Sequence, residues 1–177
     1  MAKRDIRLTP TSYIVLGLIR AAGRATPYDL KRVHQQGIGG FWSLNHAQLY
    51  AEPDRLVSGG YLSVEREEGG RRRKLYELTA RGREAFTEWL ATPTEEFTEL
   101  RDPGLLQLFF GAEPGPLAEV QRRIHAERLA QYEALHATAA DWPAGARLVL
   151  ESGIGHEREW LRYWEGVQGG SGGGPRE

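Results

Sequence analysis

The sequence predicts a mainly α-helical protein with one small β-hairpin: an N-terminal domain that carries the hairpin and a C-terminal domain made of helices. Apolar residues recur at helical spacing over most of the chain. Around a glycine pair at positions 69 and 70 they alternate with polar residues instead, which is the pattern of a two-stranded ribbon. Two long segments near the C-terminus each carry an apolar stripe, which is typical of paired helices.

The first two helices are predicted from residues 11 to 22 and from residue 27 onward. Gly23 follows the first helix, as glycine commonly does at a helix C-terminus. Thr26, Pro27 and Asp29 provide three helix-start signals together: a capping hydroxyl, a proline at the first helical position and an acidic residue three positions after the cap.

A third helix is predicted from residue 43 to residue 58. Ser43 is a suitable N-cap, and Leu49, Pro53 and Leu56 recur at i, i+4 and i+7 to give one buried stripe. The polar residues expected on the open side of this helix are Asn45, His46, Gln48 and Glu52. A glycine pair at positions 59 and 60 ends the helix.

The predicted hairpin follows directly. Leu62 and Val64 alternate with polar residues on the first strand, as Tyr76 and Leu78 do on the return strand, so one face of the ribbon is expected to be buried. The glycine pair between the strands supplies the turn. Four consecutive basic residues follow the turn: Arg71, Arg72, Arg73 and Lys74.

A polar-faced helix beside a basic ribbon suits duplex DNA. An α-helix fits the major groove, where amide and imidazole groups can read base edges, and guanidinium and ammonium groups neutralise phosphates. Tyrosine hydroxyls add contacts to the DNA backbone. The predicted DNA-binding residues are Ser12, Tyr28, Ser43, Asn45, His46, Gln48, Tyr50, Arg71, Arg72, Arg73 and Lys74.

The helix, hairpin and basic tip resemble a winged helix-turn-helix, and the sequence is similar to the PadR family of bacterial transcriptional regulators. The matching segments are residues 11–18, 28–30, 48–50, 55–56, 60–62, 73–79, 82 and 89–90. Ala51 and Pro53 stand where the family often has proline and leucine. The resemblance implies a repressor that binds DNA as a two-fold dimer joined through its C-terminal helices. It also implies a sensor of small molecules, since PadR-like proteins include sensors of phenolic acids and drug-like cations.

The remaining elements are predicted to be helices. One runs from residue 80 to residue 91 with Thr79 as its cap, and Thr92 and Pro93 end it before an acidic linker. The apolar run at 105–110 predicts a short buried helix, and two long helices follow at 117–140 and 144–167. The predicted divisions are a DNA-binding domain at 1–92, a helical dimerisation and effector domain at 93–168, and a disordered Gly-rich tail at 169–177.

Five aromatic residues lie near the expected junction of the two domains. They are Trp89, Phe109, Phe110, Trp160 and Trp164. One interpretation is the wall of a pocket for a small aromatic or hydrophobic effector, since concave apolar sites bind such molecules. The alternative is ordinary packing in the core or the dimer interface.

Composition excludes several other classes of protein. The chain lacks cysteine and an apolar run long enough to span a membrane, so we expect a cytoplasmic protein. The five histidines lack metal-ligand spacing and no nucleophile motif is present, so we expect no enzyme, metal or cofactor. Residues 1–92 hold 15 Lys and Arg against 10 Asp and Glu, whereas residues 93–177 hold 8 against 14. A basic first half suits a polyanion.

Two functions from different classes follow. The first is a dimeric repressor whose partners are operator DNA, a second copy of the chain and a small aromatic effector. The second is a winged-helix module that binds other proteins and never contacts DNA. The basic run at the hairpin favours the first, because a protein-binding wing has no need of four adjacent positive charges.

Overall fold

The computed structural model describes residues 6–36, 42, 44, 46–66 and 73–170, of which a few side chains are left out. The chain divides into two compact units, Met1–Glu96 and Phe97–Glu177. The division falls four residues after the boundary expected from the sequence. The predicted Gly69–Gly70 turn and the first two wing arginines, Arg71 and Arg72, lie outside the described residues, as do Ser43 and Asn45.

The first unit contains four helices and a three-stranded sheet among its described residues. Its elements are α1 (Pro10–Ala22), β1 (Arg24–Ala25), α2 (Pro27–Gln36), α3 (His46–Ser58), β2 (Leu62–Arg66), β3 (Lys74–Leu78) and α4 (Ala80–Ala91). The strand order is β1-β3-β2, and both pairings are antiparallel. The two-stranded ribbon was therefore an incomplete prediction, because β1 adds a third strand opposite Tyr76 and Glu77.

The predicted helix caps are present for two helices. The backbone N–H of Asp29 donates to the Thr26 hydroxyl at 3.3 Å, and the Thr26 N–H donates back to the Asp29 carboxylate at 3.0 Å. The Thr26 hydroxyl also donates to the Asp29 carboxylate at 2.7 Å, and this bond, followed by the one from the Thr26 N–H, holds the pKa of Asp29 below its usual value. Thr79 caps α4 by accepting from the N–H of Gly82. Helix α1 begins one residue earlier than predicted, with Thr9 as its cap.

The turn from α3 into the sheet fixes where the ribbon leaves the domain. Gly60 has a φ of 74° and ends α3, with the N–H of Tyr61 bonded to the carbonyl of Leu56. The carbonyl of Tyr61 then accepts from the N–H of Thr79, which closes the base of the ribbon. Gly82 must be glycine there, since a Cβ would lie 2.1 Å from that carbonyl oxygen.

The core of the first unit lies where α1 meets α3, α4 and the sheet. Its fully buried side chains include Val15, Leu16, Ile19, Leu30, Leu56 and Tyr76. The predicted stripe of α3 is confirmed, because Leu49, Pro53 and Leu56 are all buried. The predicted alternation of the ribbon is confirmed for Leu62, Tyr76 and Leu78, whereas Val64 is more than a third exposed.

Two polar predictions are wrong because of one buried hydrogen-bond network. Ser12 was expected to contact DNA and Glu52 to face solvent, yet both side chains are buried. The Ser12 hydroxyl donates to the Glu52 carboxylate at 2.6 Å and accepts from the Thr9 N–H and from Arg55, each at 2.8 Å. Arg55 also bonds both Glu52 oxygens. A buried carboxylate needs such partners, so this network fixes α3 against α1.

The second unit is built from α5 (Pro103–Phe109), α6 (Pro114–Ala137) and α7 (Ala144–Gly170). The two long helices are antiparallel, as the contacts of Arg122 with Glu165 and of His136 with Glu151 indicate. Trp164 is completely buried in this unit. Helix α7 includes Gly169 and Gly170, so the predicted disordered tail begins at least two residues too early.

One expectation about burial in the second unit is wrong. Helix α5 was predicted to be buried, yet Phe109 is 82% exposed and Phe110 is 78% exposed. On α6 the inward face includes His125 and Ala118, while Val120 and Ile124 are at least 40% exposed. Periodicity identified these helices but not the side that is covered.

None of the helices in the described part of the chain is both long and apolar enough to cross a membrane.

Replacing Ser12 by Ala should lower the free energy of unfolding by about 1–3 kcal/mol, because a buried carboxylate loses a donor and an arginine loses an acceptor. Ser58→Ala is the matched control. Its hydroxyl is exposed at the end of α3, so we expect a change within about 0.5 kcal/mol. Urea denaturation followed by circular dichroism measures both. Equal losses for the two variants would contradict the structural role of Ser12.

Candidate nucleic-acid interface and apolar cavity

Helix α3 presents a solvent-facing side beside the ribbon. Gln48 and Tyr50 are exposed on it, one residue either side of the buried Leu49. Their position agrees with the sequence-based expectation that these two side chains are accessible. Of the other residues predicted on this face, Ser43, Asn45 and the side chain of His46 lie outside the described parts of the structure.

The described half of the basic run lies at the start of β3. Arg73 is exposed, and Lys74 begins the strand. The Lys74 ammonium donates to the Asp54 carboxylate of α3 at 2.5 Å, and the Tyr76 hydroxyl donates to the other oxygen at 2.8 Å. Sequence reasoning missed Asp54, because a lone acidic residue on an exposed helix face carries no signal by itself.

These contacts shift the pKa values of two groups. The hydrogen bond from Lys74, followed by the one from Tyr76, holds the pKa of Asp54 below its usual value despite partial burial. Burial, together with the bond to Asp54, raises the pKa of the Tyr76 hydroxyl. The carboxylate therefore stays ionised and the phenol stays protonated at neutral pH.

Tyr28 is the remaining predicted contact in the first unit. It is the second residue of α2, and its side chain is 67% exposed. This exposure leaves the Tyr28 side chain accessible, as a contact with the DNA backbone would require. No metal-binding group of three or more His, Cys, Asp or Glu side chains occurs among the described residues.

The first unit also contains an apolar cavity of about 450 Å³. Its lining residues are Pro10, Tyr13, Ile14, Gly17, Leu18, Trp42, Phe86 and Trp89. The Tyr13 and Trp89 rings are stacked with centroids 4.6 Å apart and planes 8° from parallel, and the Phe86 ring lies 5.7 Å from Trp89. A cavity of this size and lining suits a small aromatic molecule.

One wall of the cavity belongs to the segment that leads into α3. Trp42 lies four residues before the start of that helix, and its carbonyl accepts a hydrogen bond from the buried His34 ring at 2.9 Å. A molecule in the cavity would therefore touch α1, α4 and the segment that leads into α3 at once. Trp42 was missed as a site residue because it stands in a glycine-rich stretch without periodicity.

The five predicted effector residues are divided between the two units. Trp89 lines the cavity in the first unit, whereas Phe109, Phe110, Trp160 and Trp164 belong to the second unit. Phe109 and Phe110 make an edge contact with each other on the surface, and Trp164 packs beside Trp160 and Tyr163. Most of the residues that line the cavity with Trp89 come from α1, which the sequence indicated only as an apolar helix.

Comparison with known proteins agrees with this architecture. Residues 15–88 match the transcriptional regulator PadR-like family, and residues 100–168 match the virulence activator alpha C-terminal family. The negative transcriptional regulator PadR of Bacillus subtilis (strain 168) is 26% identical over 171 residues, which cover 88% of this chain and 93% of that protein. The chain is therefore similar to PadR-like transcriptional regulators along most of its length.

Solved structures of PadR-like proteins share the fold. The crystal structure of Bacillus subtilis PadR in complex with operator DNA has a TM-score of 0.80 at 22% identity, covering 90% of this chain and 98% of that chain. The same protein in complex with p-coumaric acid has a TM-score of 0.77 at 21% identity, with 90% and 97% covered. The predicted winged-helix class is thus confirmed.

Proposed function

We propose that this PadR-like regulator is a repressor rather than an enzyme. In this proposal it acts in the cytoplasm, binds an inverted-repeat operator as a homodimer and is released by a small aromatic ligand. The observation that carries the proposal is the exposure of Gln48 and Tyr50 on α3, beside a ribbon whose sequence contains four consecutive basic residues. The operator complex of Bacillus subtilis PadR, which has the same fold, supports it.

The division of labour between helix and ribbon follows from their chemistry. Amide groups such as those of Gln48 and Asn45 can read adenine edges in the major groove, and the His46 imidazole can also reach a base. Arginines on the ribbon contribute phosphate contacts that carry no sequence information but make binding salt-dependent. Tyr28 and Tyr50 add hydroxyl contacts to the backbone.

Replacing Arg71 and Arg72 by Ala should weaken binding to all duplexes and flatten the dependence of log K on log salt by roughly 1–2 units. Gln48→Ala should instead relax preference at one base pair by about 1–3 kcal/mol. Fluorescence anisotropy with DNA upstream of the protein's own coding region, at two or more salt concentrations, measures both effects. If the ribbon variant changes base preference and the helix variant does not, the roles are reversed.

A winged-helix module that binds only proteins predicts a different result. It would show no preference for any upstream duplex over a scrambled one of equal length, at any salt concentration. The same titrations therefore separate the two functions.

The second unit supports self-association. It exposes a set of apolar side chains that a soluble monomer would leave in water: Phe97, Leu100, Leu106, Phe109, Phe110, Val120, Ile124 and Leu148. A second copy of the chain could cover them. Two-fold symmetry then requires operator half-sites about one helical turn apart or a multiple of it.

Phe109→Glu should shift the protein from dimer to monomer at micromolar concentration, because it places a charge in the apolar surface that we propose as the interface. Gln107→Glu is the control, since it introduces the same charge at an exposed polar position of α5. Size-exclusion chromatography with light scattering measures the mass. A monomeric wild type, or footprinting that protects a single asymmetric half-site, would contradict the dimer.

The cavity beside Trp89 supports a ligand-responsive switch. Bacillus subtilis PadR has been crystallised with p-coumaric acid, and an aromatic ring could stack on the Tyr13 and Trp89 pair. Burial and stacking of one ring are compatible with micromolar affinity, about −8 kcal/mol. Such a ligand releases DNA only if it binds the conformation that cannot bind DNA more tightly than the conformation that can. A ligand with equal affinity for the two conformations does not change their equilibrium.

Addition of a phenolic ligand should quench tryptophan fluorescence in the wild type and release labelled DNA. The quenching should be lost in Trp89→Phe and retained in Trp160→Phe, because Trp89 lines the cavity and Trp160 is not among its lining residues. A broad panel of phenolic acids and dyes provides the ligands. Quenching without release of DNA would mean that the ligand binds but does not control DNA binding. Loss of quenching in Trp160→Phe alone would mean that the ligand does not bind in the cavity beside Trp89.

A further inference from the structure

A single carboxylate joins α3 to the basic ribbon. Asp54 accepts one hydrogen bond from the Tyr76 hydroxyl and another from the Lys74 ammonium, each on a different oxygen. Lys74 and Tyr76 are two residues apart on β3 and therefore lie on the same face of the strand. The three side chains together are called the Asp54 tether below.

Tyr76 is the fixed end of this tether. Its side chain is 1% exposed, and it lies on the central strand, paired with Ala25 on one side and Val64 on the other. Lys74 is the first residue of β3, opposite the last residue of β2, where the ribbon leaves the sheet. The tether therefore joins α3 to the end of β3 that lies next to Arg73.

The charges of the pair are balanced where DNA would approach. The Lys74 and Asp54 side chains are 36% and 52% exposed, so both remain close to the surface that carries Gln48 and Tyr50. If Lys74 turned to a phosphate, Asp54 would lose its nearest cation and face the anionic backbone. Like charges at short range repel, so retaining the pair is the more favourable arrangement.

We propose that Asp54 is a positioning residue that holds the ribbon against α3 through Lys74 and Tyr76, and that Lys74 contacts no phosphate in the complex. This inference rests on the DNA-binding function proposed above. It revises the role that the sequence predicted for Lys74, and it leaves Arg71, Arg72 and Arg73 as the phosphate-binding residues of the ribbon.

A charge-balanced double variant tests the inference in the full-length protein. Asp54→Asn with Lys74→Gln removes one charge of each sign and leaves the net charge unchanged. If the tether acts as proposed, the salt slope of DNA binding by the double variant should equal that of the wild type. Its discrimination between operator and scrambled duplex should fall roughly three- to tenfold. Arg72→Ala is the control, and it should flatten the slope by about 0.9 units.

Two results would overturn the inference. A double variant whose slope is flattened as much as that of Arg72→Ala would mean that Lys74 meets a phosphate. A double variant with unchanged discrimination would mean that the tether positions nothing. In either case salt-dependent binding by the wild type keeps the proposed function intact, whereas wild-type protein that binds no duplex refutes both.

If the double variant fails to fold, the single variants Tyr76→Phe and Lys74→Gln test the inference instead. Tyr76→Phe removes one hydrogen bond and no charge, so it should reduce discrimination without changing the salt slope. Lys74→Gln exposes the Asp54 carboxylate, so it should weaken operator binding several-fold more than Arg72→Ala does. Equal weakening by Lys74→Gln and Arg72→Ala, or unchanged discrimination in Tyr76→Phe, would contradict the tether.

Discussion

The buried Ser12 hydroxyl is the interaction on which the arrangement of the first unit depends. It is part of the cap of α1 through the Thr9 N–H, and it binds Glu52 and Arg55 of α3 at the same time. Its one donor and both acceptor positions are satisfied in a buried site, where an unmet polar group would be costly. Helix α3 can therefore take only the position that delivers Glu52 to Ser12, and its solvent-facing side is set by this contact.

Pro53 lies between Glu52, which bonds to Ser12 of α1, and Asp54, which bonds to Lys74 of the ribbon. It removes a backbone donor from the middle of the helix, which weakens a helix that depends on its own hydrogen bonds. The helix nevertheless continues from His46 to Ser58 with the Pro53 ring in the core. Side-chain bonds from Glu52 and Asp54 to neighbouring elements stabilise the helix from outside and offset the missing bond.

The two units bury their apolar residues to different extents. The first unit has a continuous core of helices and sheet, and the open cavity beside Trp89 lies at its surface. The second unit has a small core around Leu150 and Ile154, with the His125 and Glu157 contact between its long helices. Two antiparallel helices can cover only one side of each other, so the remaining apolar surface of α5 and α6 is available to a partner.

The sequence alone determined the elements whose signals are local. Thr26 with Asp29, Thr79 and the glycines after α3 placed helix ends correctly, because a cap acts on backbone groups within one turn. Alternation of apolar residues around Tyr76 identified the ribbon, because this pattern is also local in the sequence. The exposed positions of Gln48 and Tyr50 also followed from the spacing of Leu49, Pro53 and Leu56.

Only the tertiary structure decided the features that depend on distant residues. Strand β1 is two residues long and exists because it pairs with β3, about 50 positions away. The sequence predicted that Glu52 faces solvent, but in the structure Glu52 is buried with the hydroxyl of Ser12, 40 positions earlier, as its hydrogen-bond donor. The ion pair of Lys74 with Asp54, 20 positions earlier, also depends on the fold, as does the cavity that Trp89 lines with residues of α1. Periodicity records which side of an element is apolar, but a polar side chain is buried or exposed according to the partner that the fold brings to it.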